Sequence, residues 1–204
     1  MTLVSMPAKA HGGRLNTILW IVIHSMETDI TDGIAEALSG PSWFGGTAAG
    51  TSPHQCFDSF GPGVRNLPDT VVAYHAGPTG NTYGLAKEHA GRASFTRAQW
   101  TTPKGLAMLR ASAAQTAIDC LAHDVPPRWL SLVQVAARKE KGLVTHNDLR
   151  LAFPKDTTHS DVGPNWPFDL YEQFVQAEIA RLTGTPTVRP APPRRHGAAV
   201  TVLS

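Results

Sequence analysis

TILWIVIH, residues 17–24, is a continuous run of β-branched, aliphatic and aromatic residues that stops at a histidine. A strand with one wet face alternates apolar and polar residues. A run without alternation has no face for water, so it reads as a central strand covered on both sides. Side chains at the end of such a strand lie at the sheet rim, where sites are commonly built. His24 occupies that place.

Outward from this strand the chain divides by composition. Residues 1–15 (MTLVSMPAKAHGGRL) read as an irregular lead-in. Residues 30–38 (ITDGIAEAL) look helical and end at Gly40-Pro41, and residues 39–53, rich in Gly, Ser and Thr, read as a loop. Strands are expected over residues 54–58, 70–75 and 82–89, separated by turns at Gly61-Pro62-Gly63 and at residues 77–81 (GPTGN). Residues 103–123 place Leu106, Leu109, Ala113, Ala117, Ile118 and Leu121 at helical spacing, with Pro103 suited to the first turn. Further helices are expected over 129–139, after Pro126-Pro127, and over 167–182. Beyond Gly184 the chain is rich in Pro and Arg and without periodicity. The expected organisation is a lead-in over 1–15, a single folded domain over 16–183 and a linker or tail over 184–204. Early strands bracketed by helices give the α/β (α+β) class, one mixed sheet with helices packed on it.

The bulk numbers exclude several functions. The chain has 204 residues, 42% hydrophobic and 17% charged, with a formal net charge of +2. That suits one globular domain with a sizeable core. Three of the basic residues, Arg189, Arg194 and Arg195, fall in the proline-rich end, so the body is close to neutral and lacks the basic stripe of a nucleic-acid binder. The apolar run at Ile18 to Ile23 is too short to span a bilayer and has no secretory-signal context. The expectation is a chain made in a cytoplasm, with no membrane insertion and nothing that demands more than a monomer. Cys56 and Cys120 lack the spacing of a zinc knuckle or redox pair and read as buried, reduced thiols.

Nine histidines are spread along the chain. His24 is either a metal ligand or a rim histidine bonded to a loop carbonyl. Residues 145–169 hold His146, Asp148, Lys155, Asp156, His159 and Asp161. Residues 159 and 161 are two apart, which in extended chain puts both side chains on one side. His24, His146 and Asp161 would form a catalytic zinc set, three protein ligands with a fourth position left for water. The spacing alone serves solvated loop residues as well.

Five segments, in order, resemble a known family. IVIHSMET is similar to the opening strand of the zinc amidases that include the N-acetylmuramoyl-L-alanine amidases of phage endolysins and the peptidoglycan recognition proteins. SPHQCFD (52–58) resembles the family's S-x-H strand, and VVAYHAGPTGN (71–81) its A-W-H-A-G…N segment. YGLAKEHAG (83–91) resembles the strand carrying an acidic residue before a glycine. THNDL and HSDVGPNWPFD resemble the H-x-D-L and K-x-D-P-G pair. The resemblance implies a peptidoglycan hydrolase, with Zn2+ on His24, His146 and Asp161 and with Glu88 assisting the attacking water. His159 falls where the family usually has lysine, and Val162 where many members have proline. The implied reaction cuts the amide between N-acetylmuramic acid and L-alanine, with zinc and His159 stabilising the oxyanion. The implied setting is a phage endolysin that reaches the host wall after holin-dependent release. Lys155 is a further candidate for the missing lysine. His54, His75 and His89 line a groove or cap strands, Asn81 contacts substrate or makes a turn, and Trp166-Pro167 packs at a helix start. The alternative is a non-catalytic peptidoglycan-binding module on the same fold.

Overall fold

A computed structural model describes residues 2–14, 17–40, 42–47 and 50–185. In chain order the elements are Val4–Ser5 (β1), His11–Arg14 (β2), Trp20–Ser25 (β3), Ile34–Leu38 (α1), Gln55–Phe57 (β4), Val64–Arg65 (β5), Val71–Ala73 (β6), Gly77–Tyr83 (α2), Gly84–His89 (β7), Arg97–Trp100 (α3), Pro103–His123 (α4), Leu132–Ala137 (α5), Gly142–Thr145 (β8), His146–Ala152 (α6) and Phe168–Thr183 (α7).

The six-residue strand β3 is buried throughout, as an unalternating run requires. It lies between β7 and β8, parallel to both, in a sheet ordered β1-β5-β4-β7-β3-β8. The β4–β5 pair is antiparallel, which makes the sheet mixed. Successive β3 side chains point to opposite faces. Ile21 and Ile23 join the core with Met108, Leu109 and Ala113 of α4 and Tyr171 and Val175 of α7. Trp20 and Val22 pack on the other face with Val135 of α5 and Leu149 of α6. A sheet with helices on both faces is the expected α/β class.

Several expected elements change. The helix expected over 30–38 is only α1, because Gly33 sits before it at φ 79, a left-handed conformation through which an α-helix does not run. The turn expected over 77–81 opens α2 instead, with a proline in its first turn; Gly, Pro and Asn punctuate helix starts as readily as turns. The helix expected over 129–139 shrinks to α5. Ser131 caps it through a capping box with Gln134, and Arg138 ends it at φ 53. The lead-in is not irregular throughout, since β1 pairs with β5 and β2 with β6. Such short strands are held by distant backbone partners and carry no periodicity of their own. Helix α4 has the expected bounds, and α7 ends at Thr183 with Gly184 at φ 69. Residues 186–204 of the expected tail lie outside the described residues. Among the described residues no helix is long and apolar enough to cross a membrane.

Candidate metal centre

The site forms where three parallel strands end side by side. His24 extends the Trp20–Val22 face of β3. Its register partner on β7 is Glu88, so their side chains leave the same face of the sheet. Val144 of β8 pairs with Val22, and two residues on, His146 opens α6. Thr145 caps that helix in a capping box with Asp148, which fixes where His146 leaves the strand. Asp161 arrives from the loop between α6 and α7. Its Oδ2 accepts the backbone N–H of Ser25 at 3.2 Å.

His24, His146 and Asp161 are all buried, and their ligand atoms lie within 4.8 Å of one another. The closest approaches are 3.1 Å between the two Nδ1 atoms, 3.3 Å from His24 Nδ1 to Asp161 Oδ2 and 3.0 Å from His146 Nδ1 to Asp161 Oδ1. Ligands about 2.0–2.1 Å from one tetrahedral ion lie about 3.3 Å apart, so the spacing fits a shared metal ion. The three residues expected as ligands thus come together and can hold a metal.

The surrounding electrostatics favour cation capture. Burial opposes ionisation of Asp161, but hydrogen bonds from His146 and His24 outweigh it and hold the carboxyl well below the usual range. Burial, opposed by Asp161, lowers the pKa of His24 and leaves its ring neutral. Glu88 is pushed well above the carboxylate range, first by burial and then by the charges of Asp161 and Glu27. Its Oε2 is buried with no hydrogen-bond partner among the described residues. An acid destabilised as an anion and lacking a partner suits proton transfer.

His24, His146, Asp161 and Glu88 line a cavity of about 730 Å³, together with His159 and Lys155. His159 is exposed at the rim, with its ring stacked on that of His146 at 5.3 Å between centroids and 4° between planes. Lys155 reaches the same cavity, so both candidates for the oxyanion role border it. Trp43 and Tyr74, which the sequence did not single out, line it as well.

The other candidates are structural. His54 bridges Val71 and Ala86, and His89 bonds the His24 carbonyl and Ser112. Asn81 holds a turn, its Oδ1 accepting the N–H groups of His75 and Ala76. Trp166 is buried against Trp100, and Cys56 and Cys120 are buried free thiols. His75 departs from the strand-capping role, because its Nδ1 lies 2.9 Å from His24 Nε2.

No family model matches the chain, and no curated protein matches it. Solved structures do. Staphylococcus aureus hydrolase AmiA superposes with a TM-score of 0.67 at 12% identity, covering 91% of this chain and 86% of AmiA. N-acetylmuramoyl-L-alanine amidase LysC from Clostridium intestinale URNW gives 0.54 at 16% identity, covering 90% and 98%. The endolysine amidase LysCS from the same organism gives 0.52 at 16% identity, covering 89% and 95%. The chain therefore has the fold of the N-acetylmuramoyl-L-alanine amidases.

Proposed function

We propose that the chain is a zinc-dependent N-acetylmuramoyl-L-alanine amidase that hydrolyses the amide between muramic acid and L-alanine in peptidoglycan. The observation that carries this reading is the convergence of two imidazoles and one carboxylate beside a buried, unpartnered glutamate. A borderline-soft nitrogen and oxygen set with room for a fourth ligand suits Zn2+. When bound, zinc supplies Lewis-acid chemistry and lowers the pKa of water toward about 7.

The chain's own residues supply the proton handling. Glu88 accepts a proton from the attacking water on the carboxylate and returns it to the leaving amine as the C–N bond breaks. Its raised pKa makes it a competent base and then a competent acid. His159, at the rim against His146, donates to the oxyanion that develops on the scissile carbonyl. The complete ligand set and a placed base support an enzyme over a binding module. In keeping with the resemblance, the protein acts as a monomeric phage endolysin that reaches the host wall after release from the cytoplasm. Digestion of purified peptidoglycan should release new L-alanine amino ends and no new reducing sugar. New reducing ends would identify a glycosidase, and no new ends of either kind a binding module.

A further inference from the structure

A metal-bound imidazole must present one bare nitrogen to the ion, and the other nitrogen needs a partner that keeps the proton there. His24 points Nδ1 into the ligand trio, where it contacts Asp161 at 3.3 Å; an ion bound at Nδ1 would displace any proton there and leave the proton of His24 on Nε2. Nε2 lies 2.9 Å from Nδ1 of His75, with the two rings nearly perpendicular at 87°. That edge-on arrangement lines up one ring's N–H with the other's lone pair.

Several contacts hold His75 in place. Asn81 Oδ1 accepts its backbone N–H at 2.8 Å and that of Ala76 at 2.9 Å, pinning the chain on both sides of the His75 carbonyl. The ring lies against Gly84, where an added Cβ would come within 3.2 Å of His75 Cε1 and 2.6 Å of Val22, so only glycine lets the His75 ring sit this close to β7. His75 Nε2 is buried with no hydrogen-bond partner among the described residues. With His24 Nε2–H facing Nδ1 at 2.9 Å, Nδ1 is the acceptor and the proton of the neutral His75 ring falls on Nε2.

We infer that His75 is a positioning residue for the metal centre: it accepts the Nε2–H of His24 and so holds the His24 ring and tautomer with Nδ1 free for the ion. This rests on the zinc reading above. His146 is served differently, because its Nε2 meets the Thr157 hydroxyl at 2.7 Å. A hydroxyl can donate or accept, so it fixes no tautomer.

The test is zinc affinity, measured by chelator competition on the full chain for wild type, His75→Ala and His75→Asn, with kcat and KM on peptidoglycan alongside. The asparagine amide oxygen takes the place of Nδ1 and restores an acceptor. The expected result is a loss of about 10–100-fold in zinc affinity for His75→Ala, most of it recovered in His75→Asn, with kcat following the affinity and KM little changed. Wild-type affinity in His75→Ala would overturn the inference. So would equal losses in both variants, which would mark His75 as a space-filling residue. A wild-type chain that binds no zinc would overturn the metal reading itself, which separates the two failures.

Discussion

His54 offers a quantitative check on how the fold treats its buried imidazoles. The ring is fully buried between two strands. Nε2–H donates to the Val71 carbonyl at 2.9 Å, and Nδ1 accepts the Ala86 N–H at 2.9 Å. A second ring proton would have to share the space of the Ala86 hydrogen. Burial, the largest cause, outweighs the opposing Val71 hydrogen bond and depresses the His54 pKa from 6.5 to about 4. Above the unfolded value neither state is protonated and His54 adds no pH dependence. Below it the unfolded chain takes up a proton that the fold refuses, and stability falls until the pH passes the folded value. From 6.5 down to about pH 5 is about 1.5 units, or about 2 kcal/mol at 1.36 kcal/mol per unit. His54→Asn keeps an acceptor for Ala86, leaves Val71 unpartnered and costs a pH-independent amount of about 1–3 kcal/mol. Urea unfolding of metal-free wild type and variant at about pH 7.5 and about pH 5 reads the difference between them, in which other titrating groups such as Glu88 cancel. The stability gap between the two proteins should narrow by about 2 kcal/mol on acidification. A gap that stays constant or widens would refute the reasoning.

Further outcomes follow from the same contacts. Glu88→Gln should retain zinc but lose at least about 100-fold in turnover, read by release of L-alanine amino ends; near-wild-type turnover would remove Glu88 from the mechanism. The same variant, metal-free, should melt higher than wild type at neutral pH, because burial raises the folded pKa of Glu88 and so costs stability once the pH rises above the unfolded value. Lys87 and Asp119 form a buried pair at 2.6 Å, with Gln55 bonded to both. Asp119→Ala should cost about 3–5 kcal/mol by stranding the ammonium, a melting shift of about 6–20 °C for a domain of this size. Gly163 sits at φ +81 with only 1.9 Å between an added Cβ and the Ala93 carbonyl, so Gly163→Ala should displace the Asp161 loop and weaken zinc binding measured by chelator competition.

The sequence made some of this legible and hid the rest for physical reasons. β3 could be read because a strand buried on both faces leaves a solid apolar run, and α4 because its apolar spacing is helical over many turns. β8 was missed because its residues GLVT are too few to show a period. Its identity as a strand comes from pairing with β3, which tertiary structure supplies. The three ligand positions were proposed from strand-end placement and family resemblance. That their nitrogens and oxygens meet depends on bringing residue 24 to residues 146 and 161, more than a hundred positions further along the chain, which no local pattern encodes. The His75 contact was illegible for the same reason. In sequence His75 is one histidine among nine; only the parallel register that seats β7 beside β3, with α2 leading into it, brings its ring to His24.

The most direct test of the central claim is metal content. The purified chain, loaded with Zn2+ and freed of excess, should carry about one zinc per protein, while folded His24→Ala, His146→Ala and Asp161→Ala should each lose the ion together with activity. Full zinc stoichiometry in those variants, or a folded wild-type chain that takes up none, would contradict the account.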